Sequence, residues 1–174
     1  MSDITIHPLP ASQAAGRIGE LSDVLIACVE GGASVSFMAP MEPETADAFW
    51  RGVAVRVERG EAVLVVAESE GRIVGTAMLV TGLPENQPHR ADVAKVLVSP
   101  AMRGQGVGER LMGAIEDAAR DAGRTLLVLD TVPGTAADRL YRRTGWQEVG
   151  RVPGFALWPD GRACDTMFFY KELG

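Results

Sequence analysis

The sequence predicts a mixed α/β fold whose central sheet is mostly antiparallel, with parallel fourth and fifth strands and about four flanking helices. Two observations support this prediction. First, the apolar run Ala62–Ala67 is joined by a short polar turn to a second run, Ile73–Leu83, as in a β-hairpin. Second, an apolar segment beginning at Val93 is followed by a helix-patterned stretch and then by Thr125–Asp130. Two strands separated in this way by a helix run parallel in the sheet.

The N-terminal part is predicted to contain one strand and two helices before this hairpin. Ile4–Ile6 forms a short strand, and Ser12 caps a helix whose apolar residues recur at helical spacing. A second helix begins at Glu42, with a proline and acidic residues in its first turn, and stops at Gly60. Between the two helices, the apolar loop Gly31–Pro40 is either a hydrophobic lid on the core or one wall of a substrate pocket.

The C-terminal part is predicted to contain one more helix and two more strands. Thr135–Thr144 forms the helix, Trp146–Val152 a strand, Pro153–Arg162 a loop and Asp165–Lys171 the last strand. No internal repeat or interdomain linker is visible. Residues 1–174 are therefore predicted to form one domain around a single core.

A glycine-rich loop before the central helix predicts an anion-binding site. The loop runs Arg103-Gly104-Gln105-Gly106-Val107-Gly108. The first N–H groups of a helix lack internal partners, and the peptide dipoles place about half a positive charge there. Glycines let successive amides turn toward a bulky anion, and Arg103 adds a cation. The expected ligand is a phosphate or diphosphate, because a loop that only turns the chain does not need these glycines and the arginine.

Two well-known phosphate-binding motifs do not fit this loop. A P-loop needs a lysine followed by serine or threonine, and none follows Gly108. The dinucleotide fingerprint needs glycines spaced G-x-G-x-x-G directly after a strand, whereas here they stand at Gly104, Gly106 and Gly108 after an intervening turn.

The charge of the chain limits the classes of partner. The net charge of −6 argues against a general nucleic-acid binder. A ligand's phosphates would need local arginines, and Arg103, Arg110, Arg142 and Arg143 are candidates, although arginines on helices are usually solvated. With 47% hydrophobic residues, the chain is globular rather than disordered.

The cysteines and histidines point away from a disulfide framework and from a metal site. Cys28 and Cys164 suit buried thiols, and His7 and His89 lie far apart without ligand spacing. Neither a signal peptide nor an apolar stretch of membrane-spanning length is visible. We therefore expect a cytoplasmic protein that binds neither metal, nucleic acid nor membranes.

Two motifs resemble those of the GNAT-type N-acetyltransferase superfamily. Arg103, Gly106 and Gly108 match its acetyl-CoA signature, Gln/Arg-x-x-Gly-x-Gly/Ala, and Leu140–Trp146 resembles its closing motif, Leu/Phe-Tyr-x-x-x-Gly-Phe. The order of elements is also similar, so that the resemblance covers most of Ile4–Tyr170. Further segments resemble the tabtoxin resistance acetyltransferases, which act on a toxin's amine: Gly31–Met38, Leu129–Thr131, and Pro153-Gly154 followed by Pro159–Arg162.

The resemblance implies that strands four and five splay apart and that acetyl-CoA binds between them. Its pantetheine arm would pair with the backbone of Val96, Leu97 and Val98. Its diphosphate would lie on Arg103, Gly104, Gln105, Gly106, Val107 and Gly108. The small Ala137 would pack against the cofactor. Many members carry an asparagine seven positions before the tyrosine of the closing motif; this chain has Gly134 there, which weakens that part of the comparison.

Acetyl transfer to an amine requires that the amine lose a proton and that the departing sulfur meet a proton donor. The resemblance implies Tyr141 as that donor; the alternative is a core tyrosine. Asp92 and Asp130 stand in strands where an acid has little structural purpose. Either carboxylate could accept the amine proton, directly or through water, or could hold the ammonium.

Phe37, Met38 and Trp158 are candidates for lining an acceptor pocket, although such residues more often belong to the core. Taken together, the residues and the resemblance predict an enzyme that moves an acetyl group from acetyl-CoA to a primary amine of a small molecule, such as a toxin or an antibiotic. The attack would be direct, in a ternary complex. A protein or peptide N-acetyltransferase and an acyl-CoA-binding module without turnover are the alternatives. Related folds often form homodimers.

Overall fold

The computed structural model describes residues 3–174. Over this range seven strands form one sheet in the order β1-β2-β3-β4-β5-β7-β6. The strands are β1 Ile4–Pro8, β2 Ala62–Ser69, β3 Arg72–Val80, β4 Arg90–Val98, β5 Leu126–Thr131, β6 Gln147–Leu157 and β7 Ala163–Glu172. Only β4 and β5 pair in parallel, which confirms the predicted mixed, mostly antiparallel sheet.

The described part of the chain contains one single-turn helix and four longer ones. They are α1 Ala11–Ala14, α2 Ile18–Glu30, α3 Pro43–Glu58, α4 Val107–Asp121 and α5 Ala136–Arg143. None of them is long and apolar enough to cross a membrane. In place of one helix capped by Ser12, the structure has α1, a 3-10 turn at Ala15–Arg17 and then α2, so the predicted cap is wrong.

The helices cover both faces of the sheet and create two apolar clusters. Alternate residues of a strand point to opposite faces, so Val65 and Ala67 of β2 join one cluster, whereas Leu64 and Val66 join the other. We call the first face the α4 side, because α4 and α5 pack there, and the second the α3 side, because α2 and α3 pack there. Burial on both faces explains why β2 is apolar from Ala62 to Ala67.

The sheet opens between β4 and β5. Their ladder joins only Arg90–Asp92 to Leu126–Val128. Beyond Asp92, β4 pairs with β3 alone, and beyond Val128, β5 pairs with β7 alone. The two parallel strands therefore diverge toward their carboxyl ends, as predicted. We refer to this opening as the gap.

A β-bulge in β4 coincides with the opening. The register between β3 and β4 shifts between Thr76 and Met78, and Lys95 has a φ of 52°. The Thr76 hydroxyl donates to the Lys95 carbonyl at 2.8 Å and fixes the irregular turn of backbone. Because a bulge bends and twists its strand, this one directs β4 away from β5.

The β6 strand is longer than predicted. Where the sequence predicted a loop from Pro153 to Arg162, β6 continues to Leu157 and still pairs with β7 at Ala156 and Leu157. The register shifts between Val152 and Ala156, which accommodates the proline outside the regular ladder. The resulting β6–β7 hairpin projects beside the gap.

Candidate active site

The glycine-rich loop adopts the conformation that an anion-binding helix start requires. Gly104 and Gly106 have φ values of 75° and 76°, a left-handed region that other residues enter at a cost. Gly106 is the N-cap of α4, and no side chain caps this helix end. The first N–H groups of α4 are thus left for water or a ligand.

Gly108 has a different role from the other two glycines. A Cβ atom built on Gly108 would lie 3.2 Å from Cδ2 of Leu140 in α5. The absence of a side chain lets the start of α4 pack closely against α5. Ala137, also on α5, is half-buried against the same apolar cluster.

Arg103 is the one cation of the four suggested by the sequence that neither a carboxylate nor a carbonyl engages; its guanidinium interacts with the buried Cys28 thiol. Within residues 3–174, no carboxylate lies within 4.0 Å of its guanidinium. Arg110 donates to the Ile4 carbonyl at 2.8 Å. Arg142 pairs with Asp138 and Glu148, and Arg143 with Glu109. These contacts make the last three poor candidates for holding a phosphate.

The edge of β4 that faces the gap could accept an extended ligand. Residues 93–98 have a β3 neighbour on one side and no strand on the other. Val96 and Val98 pack partly against the α4 side, whereas Leu97 is buried on the α3 side. The open edge and the glycine loop are continuous along the chain. This arrangement fits the amide-bearing pantetheine arm and the diphosphate of a coenzyme A thioester.

A buried thiol lies beside this edge. Cys28 of α2 is 2% exposed, and its Sγ lies 3.5 Å from the Val98 carbonyl oxygen, to which it donates. Burial raises the pKa of the Cys28 thiol, and the nearby Arg103 guanidinium opposes that rise in part. The thiol is therefore protonated at neutral pH.

Tyr141 of α5 is buried in the apolar cluster on the α4 side of the sheet. Its ring is 4% exposed and packs at 5.9 Å from Trp146 and 6.0 Å from Phe169, measured between ring centroids. Burial raises the pKa of Tyr141, and the negative charge of Asp130 raises it further. The hydroxyl keeps its proton at neutral pH, and among the described residues it has no hydrogen-bond partner. It is thus able to donate to a ligand.

The two aspartates differ in position and in partners. Asp130 is exposed on the diverging part of β5 and accepts a hydrogen bond from the Thr166 hydroxyl at 2.7 Å. Its effect on the pKa of Tyr141 places the two groups within electrostatic reach of each other. Asp92 lies where β4 and β5 are still paired, opposite Val128, and its carboxylate contacts the guanidinium of Arg90. The structure thus places Asp130 beyond the last β4–β5 pair, where its charge acts on Tyr141, and leaves Asp92 at the closed end of the gap.

The loop between α2 and α3 covers the α3 side of the gap. Its Ala39 N–H donates to the Pro159 carbonyl at 3.1 Å, and its Ser34 hydroxyl donates to the Leu157 carbonyl at 3.1 Å. Both contacts fasten the loop to the β6–β7 hairpin. The loop is therefore a wall beside the gap as well as a cover for the core.

The three residues suggested for this wall have different surroundings. Phe37 is half-buried and packs edge-to-face on Phe49 with a centroid distance of 5.3 Å. Met38 is 46% exposed. Trp158 is half-buried at the tip of the β6–β7 hairpin, where its backbone N–H donates to the Arg162 carbonyl at 2.8 Å.

Sequence reasoning did not identify Lys95 as a site residue. Its Nζ donates to the Ser36 hydroxyl at 3.2 Å and lies 5.4 and 5.9 Å from the ring centroids of Phe49 and Phe37. Burial lowers the pKa of Lys95, and the charge of Asp130 opposes that shift. The signal in the sequence was one lysine in an otherwise apolar stretch of strand, Val93–Val98.

No metal centre accompanies these groups. Within residues 3–174, His, Cys, Asp and Glu side chains form no cluster of three or more that could hold a metal ion.

Comparisons with known proteins agree with this arrangement. Residues 25–146 match the Acetyltransferase (GNAT) family. An N-acetyltransferase from the hisH-hisA intergenic region of Azospirillum brasilense is 33% identical over 163 residues, 91% of this chain and 94% of the relative. The L-methionine sulfoximine/L-methionine sulfone acetyltransferase of Pseudomonas paraeruginosa is 29% identical over 119 residues, 68% of this chain and 69% of that protein.

A solved structure shows the same fold. YncA of Salmonella typhimurium, determined with its cofactor acetyl-CoA, superposes with a TM-score of 0.78 over 98% of this chain and 94% of that one, at 21% identity. The family match covers the open gap, the glycine loop and the whole closing motif. The chain therefore belongs to the GNAT family of acetyltransferases and is an acyltransferase enzyme that uses acetyl-CoA.

Proposed function

We propose that this enzyme transfers the acetyl group of acetyl-CoA to a primary amine of a small molecule, by direct attack in a ternary complex. The observation that carries the proposal is the position of Asp130 within electrostatic reach of Tyr141, where β4 and β5 diverge. At this point the carboxylate can act as the base, and the protonated phenol as the acid, that aminolysis of a thioester needs.

The proposed roles follow from the surroundings of each group. Acetyl-CoA supplies the acetyl group as a thioester. Asp130 is open to solvent, so it can accept the proton of the acceptor's ammonium, directly or through water. The amine nitrogen then bonds to the thioester carbon and the C–S bond breaks. Tyr141 holds its proton because its pKa is raised, and it donates that proton to the leaving thiolate; the second proton that the nitrogen loses on becoming an amide restores the phenol. Asp92 is held by Arg90 and contributes less to the transfer.

The cofactor would lie along the α4 side of the gap. The open edge at Val96–Val98 is proposed to pair with the pantetheine arm. Arg103 and the N–H groups of residues 104–108 are proposed to bind the diphosphate. Ala137 leaves room for the cofactor beside α5, since a larger side chain there would project from the helix.

A small acceptor is favoured over a peptide because the α3 side of the gap is walled. Two hydrogen bonds join the α2–α3 loop to the β6–β7 hairpin and close the path that an extended peptide would follow. Phe37, Met38 and Trp158 are proposed to line this wall. The related Pseudomonas enzyme is named for small amino-acid analogues, and the predicted resemblance to the tabtoxin resistance protein also points to a toxin or antibiotic amine.

The test is an acetyl-transfer assay with a panel of amines, with thiol release and product mass as readouts. We expect acetylated small amines, and we expect Tyr141→Phe to lower kcat about 10²-fold or more while acetyl-CoA still binds. Thiol release with none of the small amines would contradict the proposal. Faster acetylation of lysine or N-terminal peptides than of any small amine would instead favour the peptide enzyme.

A further inference from the structure

Lys95 differs from the other lysine of the chain in having no carboxylate partner. Lys171 contacts Glu116 at 2.7 Å and donates to the Thr144 carbonyl at 2.8 Å. Lys95 has neither: within the described residues, no carboxylate lies within 4.0 Å of its Nζ, and its only hydrogen bond goes to Ser36. A half-buried ammonium with one hydroxyl partner retains free donor capacity, because it can donate three hydrogen bonds.

The backbone is specially shaped to place this ammonium. Lys95 is one of three non-glycine residues with positive φ among residues 3–174, and it stands at the bulge that opens the gap. This left-handed conformation is strained for a residue with a Cβ. Bulges commonly redirect a side chain next to an active site. Here the bulge is associated with a side chain that reaches the α2–α3 loop and the ring of Phe49.

Opposite charges face the gap without touching. Lys95 and Asp130 stand three and two residues beyond the last β4–β5 pair, Asp92 opposite Val128, and the charge of Asp130 acts on Lys95, yet the two form no ion pair. A ligand that carries a negative and a positive group on neighbouring atoms would satisfy both. Its ammonium would meet Asp130, and its anion would meet Lys95 and Ser36.

We propose that Lys95 and Ser36 bind a carboxylate of the acceptor, so that the acceptor is an α-amino acid or a close analogue of one. This inference rests on the proposed function, because it assigns the class of the small-molecule amine. Lys95 Nζ lies over the rings of Phe37 and Phe49, and this apolar neighbourhood would strengthen its charge pair with a carboxylate. Lys95 is then a specificity-determining residue that contacts the acceptor and takes no part in proton transfer.

The test compares amino acids with their own methyl esters, for which leucine, methionine and phenylalanine are convenient. The ester keeps the amine and the side chain and lacks only the anionic group. We expect the wild-type enzyme to prefer the acids in kcat/KM by about 10- to 100-fold, the range expected for loss of a charge-assisted contact in a partly buried site. We expect Lys95→Met to remove most of that preference, chiefly by raising KM for the acids. Lys95→Arg should restore part of it.

Arg59→Met is the matched control. It also removes one positive charge, but Arg59 is the exposed C-cap of α3, ten residues from Phe49 and so about 15 Å along the helix axis. The acid preference should persist in this variant. Acetyl-CoA titration and the melting temperature of each variant check that it is folded.

The outcomes separate this inference from the proposed function. If the wild-type enzyme acetylates esters or carboxylate-free amines as well as the acids, or if Lys95→Met lowers kcat/KM equally for acid and ester, the inference is wrong and the proposed function stands. If no small amine of any class is acetylated although acetyl-CoA binds, the proposed function fails and the inference fails with it.

Discussion

The two sides of the gap between β4 and β5 offer different kinds of binding group. On the α4 side, the open β4 edge and the glycine loop form one continuous stretch, residues 93–108, and offer mainly backbone groups. On the α3 side, the groups are side chains from separate segments: Ser36 and Phe37 from a loop, Lys95 from a bulge and Asp130 from β5. A family can keep the first arrangement while changing the second, since the backbone pattern does not depend on which side chains face the acceptor.

The largest expected effect is a loss of activity that leaves cofactor binding nearly unchanged. Asp130→Asn keeps the shape of the side chain and removes its capacity to accept a proton. We expect kcat/KM for the acceptor to fall about 10²- to 10⁴-fold, because this is the usual contribution of a positioned base. The Kd for acetyl-CoA, measured by calorimetry, should change less than about threefold.

The control for Asp130→Asn is Asp117→Asn on the exposed face of α4, where the side chain is 78% exposed. This variant should retain full activity. If the Kd of Asp130→Asn for acetyl-CoA rises by as much as its kcat/KM falls, then cofactor binding and acetyl transfer do not depend on separate sides of the gap.

The second effect concerns the α4 side. Arg103→Met removes the cation of the glycine loop and leaves a side chain of similar length. We expect the Kd for CoA to rise about 10- to 100-fold, the equivalent of one or two charge-assisted hydrogen bonds to a phosphate. The kcat at saturating acetyl-CoA should stay close to that of the wild type. An unchanged Kd would place the diphosphate elsewhere.

A third pair of variants tests whether the backbone conformation of the loop matters. Gly106→Ala should lower the free energy of unfolding by about 1 to 2 kcal/mol, because alanine is strained at a φ of 76°, and should also weaken CoA binding. Gly113→Ala within α4 should instead raise it by about 0.5 to 1 kcal/mol, because alanine is the better helix former.

Both glycines have open space where a Cβ would stand, so the comparison isolates backbone strain from steric overlap. Equal effects of the two substitutions on urea unfolding would contradict this interpretation.

The smallest expected effect concerns Glu20, which lies outside both sides of the gap. Glu20 accepts two hydrogen bonds from Arg17, at 2.8 and 2.9 Å, and one from the Ile73 N–H at 2.9 Å. The hydrogen bonds from Arg17 lower the pKa of Glu20, with the Ile73 N–H adding to the shift and burial opposing it. Because its pKa is depressed in the folded state, the stabilisation is present above the ordinary pKa of glutamate and is lost as the pH falls through the folded-state value.

Glu20→Gln should therefore cost about 1 to 2 kcal/mol in urea unfolding at pH 7 and less at pH 3, with no change in the Kd for CoA at pH 7. A cost that stays constant between the two pH values would show that the ionised carboxylate is not what stabilises this contact.

The difference between the two sides also explains what could be predicted from the sequence. Gly104 and Gly106 are visible because a left-handed backbone before a helix leaves glycines at fixed positions. Tyr141 follows from the short motif around it. Lys95 was not predicted as a site residue, because the bulge that exposes it depends on the register between β3 and β4, which no local pattern encodes.

Asp92 and Asp130 could not be ranked from the sequence, since both are acids in apolar strands. Their difference comes from the point at which the β4–β5 ladder ends and from the contact of Asp92 with Arg90.

The extent of β6 was missed for a similar reason: a proline normally ends a strand, but the shifted register between Val152 and Ala156 lets pairing resume.

Amide hydrogen exchange across residues 93–108, with and without acetyl-CoA, is the most direct test of cofactor binding by the backbone. If the open edge of β4 and the start of α4 bind the cofactor through the backbone, exchange in this stretch slows on saturation with acetyl-CoA. The strand pairs β1–β2 and β6–β7, which lie outside the gap, should show little change. Unchanged exchange over residues 93–108 in a protein that demonstrably binds acetyl-CoA would show that this backbone does not hold the cofactor.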